Sequence, residues 1–142
     1  MPTDSRAKSE CEKLMIFLLH YVEVFLKDAG EFFPIGAIMD MDRNMSSLAG
    51  FDGREQPPSE DIMTIIREGF SERVVKHSIC ASGLAYDVLV TDANGAKEDA
   101  ICIELDHIDD YSIIVYFPYL IENGVPILQQ RNISEGLRRI FV

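Results

Sequence analysis

Leu84–Tyr119, LAYDVLVTDANGAKEDAICIELDHIDDYSIIVYFPY, decides the fold. Within it Tyr86, Val88 and Val90 alternate with Asp87, Leu89 and Thr91. Ile101, Ile103 and Leu105 then alternate with Cys102, Glu104 and Asp106, and Ile113, Val115 and Phe117 with Ile114 and Tyr116. A period of two with one apolar face predicts three strands of a sheet covered on one side. Asn94-Gly95 and Asp109-Asp110 fall in the turns and suit antiparallel connections. The same stretch holds eight acidic residues against Lys97 alone, −7 of the chain's net −11.

Working outward, Ser59 begins a segment in which Ile62, Ile66, Phe70 and Val74 recur at steps of four. That spacing predicts an amphipathic helix, with Ser59 as its cap and Glu60 and Asp61 at the positive end of its dipole. Upstream, Phe32–Asp40 reads as a strand, Asp40–Asn44 as a turn and Met45–Phe51 as a weaker strand. Asp52 to Pro58 reads as a loop, because paired prolines punctuate the chain. A first helix is expected over about residues 9–28, closed by Gly30. Residues 1–9 are polar and expected to fray. Beyond Leu120, Gly124 and Pro126 break the pattern, and Val125–Leu128 or Leu137–Val142 can add a short strand. The expectation is one α+β domain over 1–142, in the order α-β-β-α-β-β-β. An antiparallel sheet of about five strands packs against two helices.

Composition narrows the function classes. At 142 residues with 13 basic and 24 acidic side chains, the chain lacks the cationic surface that displaces counterions from a phosphate backbone. Nucleic acid and anionic membranes are therefore unexpected partners, and a basic protein is a compatible one. Leu14–Leu26 is apolar but spans only about 20 Å as a helix, short of a bilayer core. No targeting signal is read, so the cytoplasm is the expected compartment. Cys11, Cys80 and Cys102 are an odd set without a CxxC, as expected of free thiols in a reducing compartment. Cys80 and Cys102 read as buried small hydrophobes, Cys11 as exposed. The helix containing Leu14–Leu26 is apolar almost all round, which fits a central core element or a homodimer seam.

Reaction centres are harder to find. Asp40, Asp42 and Asn44 start like a calcium loop, but the places that need Gly and a bidentate Glu hold Met45 and Phe51. His77 and Cys80 are one spaced pair, short of the ligands a zinc site needs, though Cys80 with His77 is a candidate nucleophile and base. His20 reads as a core histidine, His77 as a helix-end cation, and His107 as a surface residue at a strand end. No metal and no cofactor are expected. Asp87, Glu104 and Asp106 should share the solvent face of the sheet with Leu89, Ile114 and Tyr116. Acidic groups mixed with Tyr and aliphatic side chains suit a protein-binding surface, and paired carboxylates also permit acid–base work.

Gly30-Glu31-Phe32-Phe33-Pro34-Ile35-Gly36-Ala37 is a distinctive string, as is Val115-Tyr116-Phe117-Pro118-Tyr119 after Asp99-Ala100-Ile101 and Leu105-Asp106-His107. Together they resemble a group of small bacterial proteins that share a Gly-Glu-Phe-aromatic-Pro-x-Gly segment and a closing Phe-Pro-Tyr strand. The resemblance spans roughly residues 20–120. It implies a soluble bacterial protein and transfers no activity and no site residue.

The resulting expectation is a non-catalytic acidic module that binds a protein, in one form an immunity-type inhibitor of a basic enzyme steered by charge. The alternatives are a small-ligand binder or enzyme using Asp87, Glu104 and Asp106 or the Cys80/His77 pair, and a homodimer through helix 14–26.

Overall fold

The computed structural model describes residues 2–50 and 58–141, with side chains described from residue 6. Two helices, α1 (Pro2–Ala29) and α2 (Ser59–Val75), accompany seven strands. These are β1 (Ile35–Asp40), β2 (Met45–Leu48), β3 (Ile79–Thr91), β4 (Lys97–His107), β5 (Tyr111–Glu122), β6 (Val125–Leu128) and β7 (Asn132–Glu135). They form one antiparallel sheet in the order β2-β1-β3-β4-β5-β6, with β7 also on β5. The class is α+β as expected, with two strands more than the expected five. Val125–Leu128 is one of them. Residues 137–141 form no strand, and the polar β7 gave no alternation to read.

Register explains the layering. Gly36, Leu84, Glu104 and Ile114 lie side by side on one face, and Ala37, Gly83, Leu105 and Ile113 on the other. A Cβ on Gly36 would lie 2.6 Å from Ile66 and 2.9 Å from Phe70 of α2. One on Gly83 would lie 2.8 Å from Leu18 of α1. The helices therefore sandwich the sheet, and the expectation of a sheet covered on one side is corrected. The middle of β4 is buried whichever way its side chains point. Two cores result, Leu14, Leu18, Val22 and Leu26 of α1 against the Ile103 face, and Ile62, Ile66 and Phe70 of α2 against Leu84. Each such aliphatic or aromatic side chain contributes roughly 1.5–3 kcal/mol on burial.

Three local expectations change. The first helix starts at Pro2 rather than near Ser9, because Ala7, Cys11 and Leu14 extend its buried stripe. Proline suits a first helical position, where its missing N–H costs nothing. Pro58, not Ser59, is the cap residue of α2, and no side chain caps that end. β1 begins at Ile35, three residues later than read, and Phe51 at the end of the second expected strand lies outside the described residues. The Asp40–Asn44 turn forms as read, with Asp40 Oδ1 accepting the Asp42 and Asn44 N–H groups at 2.8 and 2.9 Å. No helix among the described residues is long and apolar enough to cross a membrane.

Candidate functional site

Three places gather chemistry. The first is on the α2 face of β4. Glu104 Oε2 accepts the Tyr86 hydroxyl at 2.6 Å and Arg67 Nη2 at 2.8 Å, and Arg139 approaches to 4.0 Å. Beside it Asp106 is 7% exposed and accepts from its cross-strand neighbour Ser112. Burial pushes the Asp106 carboxyl up, partly offset by the Ser112 bond, and Glu104 pushes it further. The carboxyl-terminal segment closes over both carboxylates. Gly136 donates to the Ser112 carbonyl at 3.0 Å, Arg138 pairs with Asp110, and Ile140 is buried in the α2 core. Cys102 lies within hydrogen-bond reach of the Tyr86 and Tyr116 hydroxyls. Burial raises the pKa values of Cys102, Tyr86 and Tyr116, so all three stay protonated.

The second place was not legible in the sequence. Glu10 of α1 and His107 at the end of β4 meet where they are buried, and half-buried Arg43 of the β1–β2 turn reaches them from the surface. His107 Nε2 donates to Glu10 Oε1 at 2.7 Å, and Arg43 Nε donates to Glu10 Oε2 at 2.9 Å. The Asp109 N–H donates to His107 Nδ1 at 3.0 Å. Nδ1 is thus the acceptor nitrogen and Nε2 carries the proton, a neutral imidazole on a carboxylate. Burial raises the Glu10 carboxyl, but the bonds from His107 and Arg43 outweigh it and hold it below its ordinary value. His107, at 1% exposure, corrects the expectation of a surface histidine. His20, read as a core histidine, is exposed and edge-on to Tyr21, His77 is exposed too, and Cys11, read as exposed, is buried.

The Cys80/His77 pair is replaced by this cluster. Cys80 places its sulfur within 4.8 Å of ligand atoms of Glu10 and His107, a group that does not include His77. Its thiol donates to the Asp40 carbonyl at 3.4 Å, and burial pushes its pKa up. A raised thiol is a poor nucleophile, and both nitrogens of His107 are already engaged. The same donor set suits a metal badly. A cation on Nε2 requires the proton on Nδ1, where the Asp109 N–H already points. Arg43 adds a positive charge on the carboxylate that a cation would need.

The third place is the far end of the β3–β4 hairpin. Asp87 and Leu89 project on the α1 side of the sheet, opposite to Glu104, Asp106, Ile114 and Tyr116. The expected single patch of six residues is therefore split by the sheet. Asp87 aligns with Ile101, an inward residue, yet is itself exposed. Leu89 is 66% exposed, and Asp87, Lys97 and Asp99 are exposed with it. Asp87, Asp92, Glu98 and Asp99 have no cationic partner within ion-pair distance among the described residues. Asp87 accepts the Tyr119 hydroxyl at 3.0 Å. Burial raises its carboxyl, the Tyr119 bond lowers it, and Asp99 raises it again.

On α1, Leu14, Leu18, Val22 and Leu26 are spent on the chain's own core, leaving Ile16, Val24 and Phe25 outside. No family model, curated protein or solved structure matches the chain.

Proposed function

We propose that the chain is a non-catalytic acidic module that binds a protein with a basic surface through the far end of the β3–β4 hairpin. An immunity-type inhibitor of a basic enzyme is the specific form this reading takes. One observation carries it. Asp87 and Asp99 flank exposed Leu89, with Asp92 at the turn and Glu98 on the other face of the hairpin, and none of the four has a cation within ion-pair distance among the described residues, whereas Glu10 and Glu104 are each tied to arginine. A basic surface placed there relieves the repulsion between Asp87 and Asp99 and speeds encounter.

The test is capture from cell extract by the immobilised chain, then reconstitution with each captured protein in purified form. The expected result is a one-to-one complex with a basic protein whose association rate falls as salt rises. Asp99→Asn should lower that rate. A complex indifferent to salt, or one lost on mutating α1 at Ile16 but kept in Asp99→Asn, overturns the reading.

A further inference from the structure

β1 pairs with β3 only from Ile79 to Ala85, ending at Ile35. β4 pairs with β3 all the way to Thr91. Among the described residues, then, β3 has a strand on one side only from Tyr86 to Thr91, and no backbone hydrogen bond from a described loop or turn reaches it. Half the backbone N–H and C=O groups of this stretch therefore have no backbone partner among the described residues, along the lane in line with β1. Such edges are ordinarily blunted by proline, lysine, a bulge or short length. Tyr-Asp-Val-Leu-Val-Thr has no proline and no lysine, its one charge is Asp87, and it is rich in β-formers. The other edges of the sheet are less suited, because β2 and β7 are four residues long and β6 contains Pro126.

We infer that the edge Tyr86–Thr91 takes up an extended segment of a partner protein as an added antiparallel strand, with basic side chains alternating with apolar ones. Resting on the reading of a basic partner, this names how that partner docks. The two faces of the lane dictate the alternation. On the α1 side the added strand runs beside Asp87 and Leu89, with Asp99 of β4 one strand away. On the other side it runs beside half-buried Val88 and Val90. A second copy of this chain is the wrong occupant. Asp87, Asp92, Glu98 and Asp99 against Lys97 leave each hairpin at −3, and a symmetric pairing sets two such ends together.

The probe is a synthetic heptapeptide alternating lysine and valine, acetylated and amidated, titrated into the full chain and followed by amide NMR. Two further peptides carry N-methyl groups, one on the lysines and the other on the valines. A strand presents alternate N–H groups to each side, so one methylated peptide should bind about as well as the parent and the other at least about tenfold more weakly. Shifts and slowed amide exchange should centre on Tyr86–Thr91, and Asp87→Asn should weaken binding severalfold. Equal binding by all three peptides, or no protection of Tyr86–Thr91, overturns strand addition. If a purified basic partner still binds with salt dependence, the protein-binding reading survives that failure. If no basic partner exists, that reading falls whatever the peptides do.

Discussion

The two ends of strand β4 treat charge in opposite ways. At its carboxyl end His107 is enclosed and bonded to Glu10, which Arg43 neutralises from the turn. At its amino end Glu98 and Asp99 stand with Asp87 and Asp92 near the solvent, and Lys97 pairs with none of them. The difference is a matter of neighbours. The carboxyl end lies under α1, where an uncompensated carboxylate costs several kcal/mol, so every polar atom there has a partner. At the amino end Asp87 and Asp99 are exposed and Asp92 and Glu98 half-exposed, so water screens the charges and repulsion is tolerated. Titratable groups packed into mutual bonds serve architecture, and groups left unpaired are the ones available to a partner.

Breaking the enclosed end should have the largest effect. Glu10→Ala leaves the His107 Nε2–H without an acceptor and Arg43 without its partner. Urea unfolding should show a loss of about 3 kcal/mol, while Asp99→Asn at the other end stays within about 0.5 kcal/mol. Similar losses at the two ends would sink the contrast.

The sheet faces provide the next test. Gly36→Ala drives a methyl against Ile66, Phe70 and the Leu48 carbonyl, which lies 3.1 Å from the new atom. A branched side chain, a ring and a backbone oxygen yield little, so a loss of about 2 kcal/mol is expected. Gly83→Ala meets the tips of Leu18 and Leu105, which have rotamer freedom, and should cost less. Thermal unfolding of both variants decides the order, and the reverse order would show that the α1 interface is the more rigid one.

The three hairpin strands were legible because Asn94-Gly95 and Asp109-Asp110 punctuate an unbroken alternation. Gly95 and Asp110 do take the positive φ values such turns require. What alternation hid was the second covering layer. Glu104 and Asp106 look like solvent-facing carboxylates when only their strand is read. They are held on a covered face because Arg67, 37 positions away, and Tyr86, 18 away, converge on Glu104, and because the carboxyl-terminal segment closes above. The Glu10–His107 bond spans 97 positions, and its glutamate stands at the start of the expected first helix with no pattern that sets it apart from its polar neighbours. No local pattern announces such a pair. The alternation marks Asp87 and Leu89 as exposed, which they are, but it does not reveal their face, since Tyr86 and not Asp87 aligns with the Glu104 side.

A pH profile sharpens the comparison between the two buried carboxyls. The Glu10 value is lowered on folding, so its contribution is complete above the ordinary value of 4.5 and is lost as pH falls through the folded value. Asp106 is raised from 3.8, so the folded state gains stability as pH falls through its folded value, levelling off below 3.8. Asp106→Asn should therefore be more stable than the parent at pH 7, by up to about 1 kcal/mol once the Ser112 bond is offset. That advantage should vanish in acid, where the parent's own carboxyl is neutral. Glu10→Gln should be less stable at pH 7 and approach the parent at low pH. Urea midpoints across this range read both, and an Asp106→Asn variant weaker at pH 7 would mean that the Arg138 and Arg139 charges outweigh burial.

The smallest effect is the most informative about the open edge. Leu89→Thr removes an exposed aliphatic group and substitutes a β-branched residue that suits a strand. With two-thirds of Leu89 in water, stability should change by less than about 0.5 kcal/mol. If Leu89 instead packed against neighbours in solution, the loss would approach the 1.5 kcal/mol or more of a buried aliphatic side chain. Equilibrium unfolding across a hundredfold range of protein concentration separates the two possibilities. A midpoint that rises with concentration in the parent but not in Leu89→Thr means that copies of the chain cover one another's edge, and the electrostatic case against self-pairing fails. A midpoint flat in both leaves the lane beside β3 open to a different chain, one whose charge is opposite to its own.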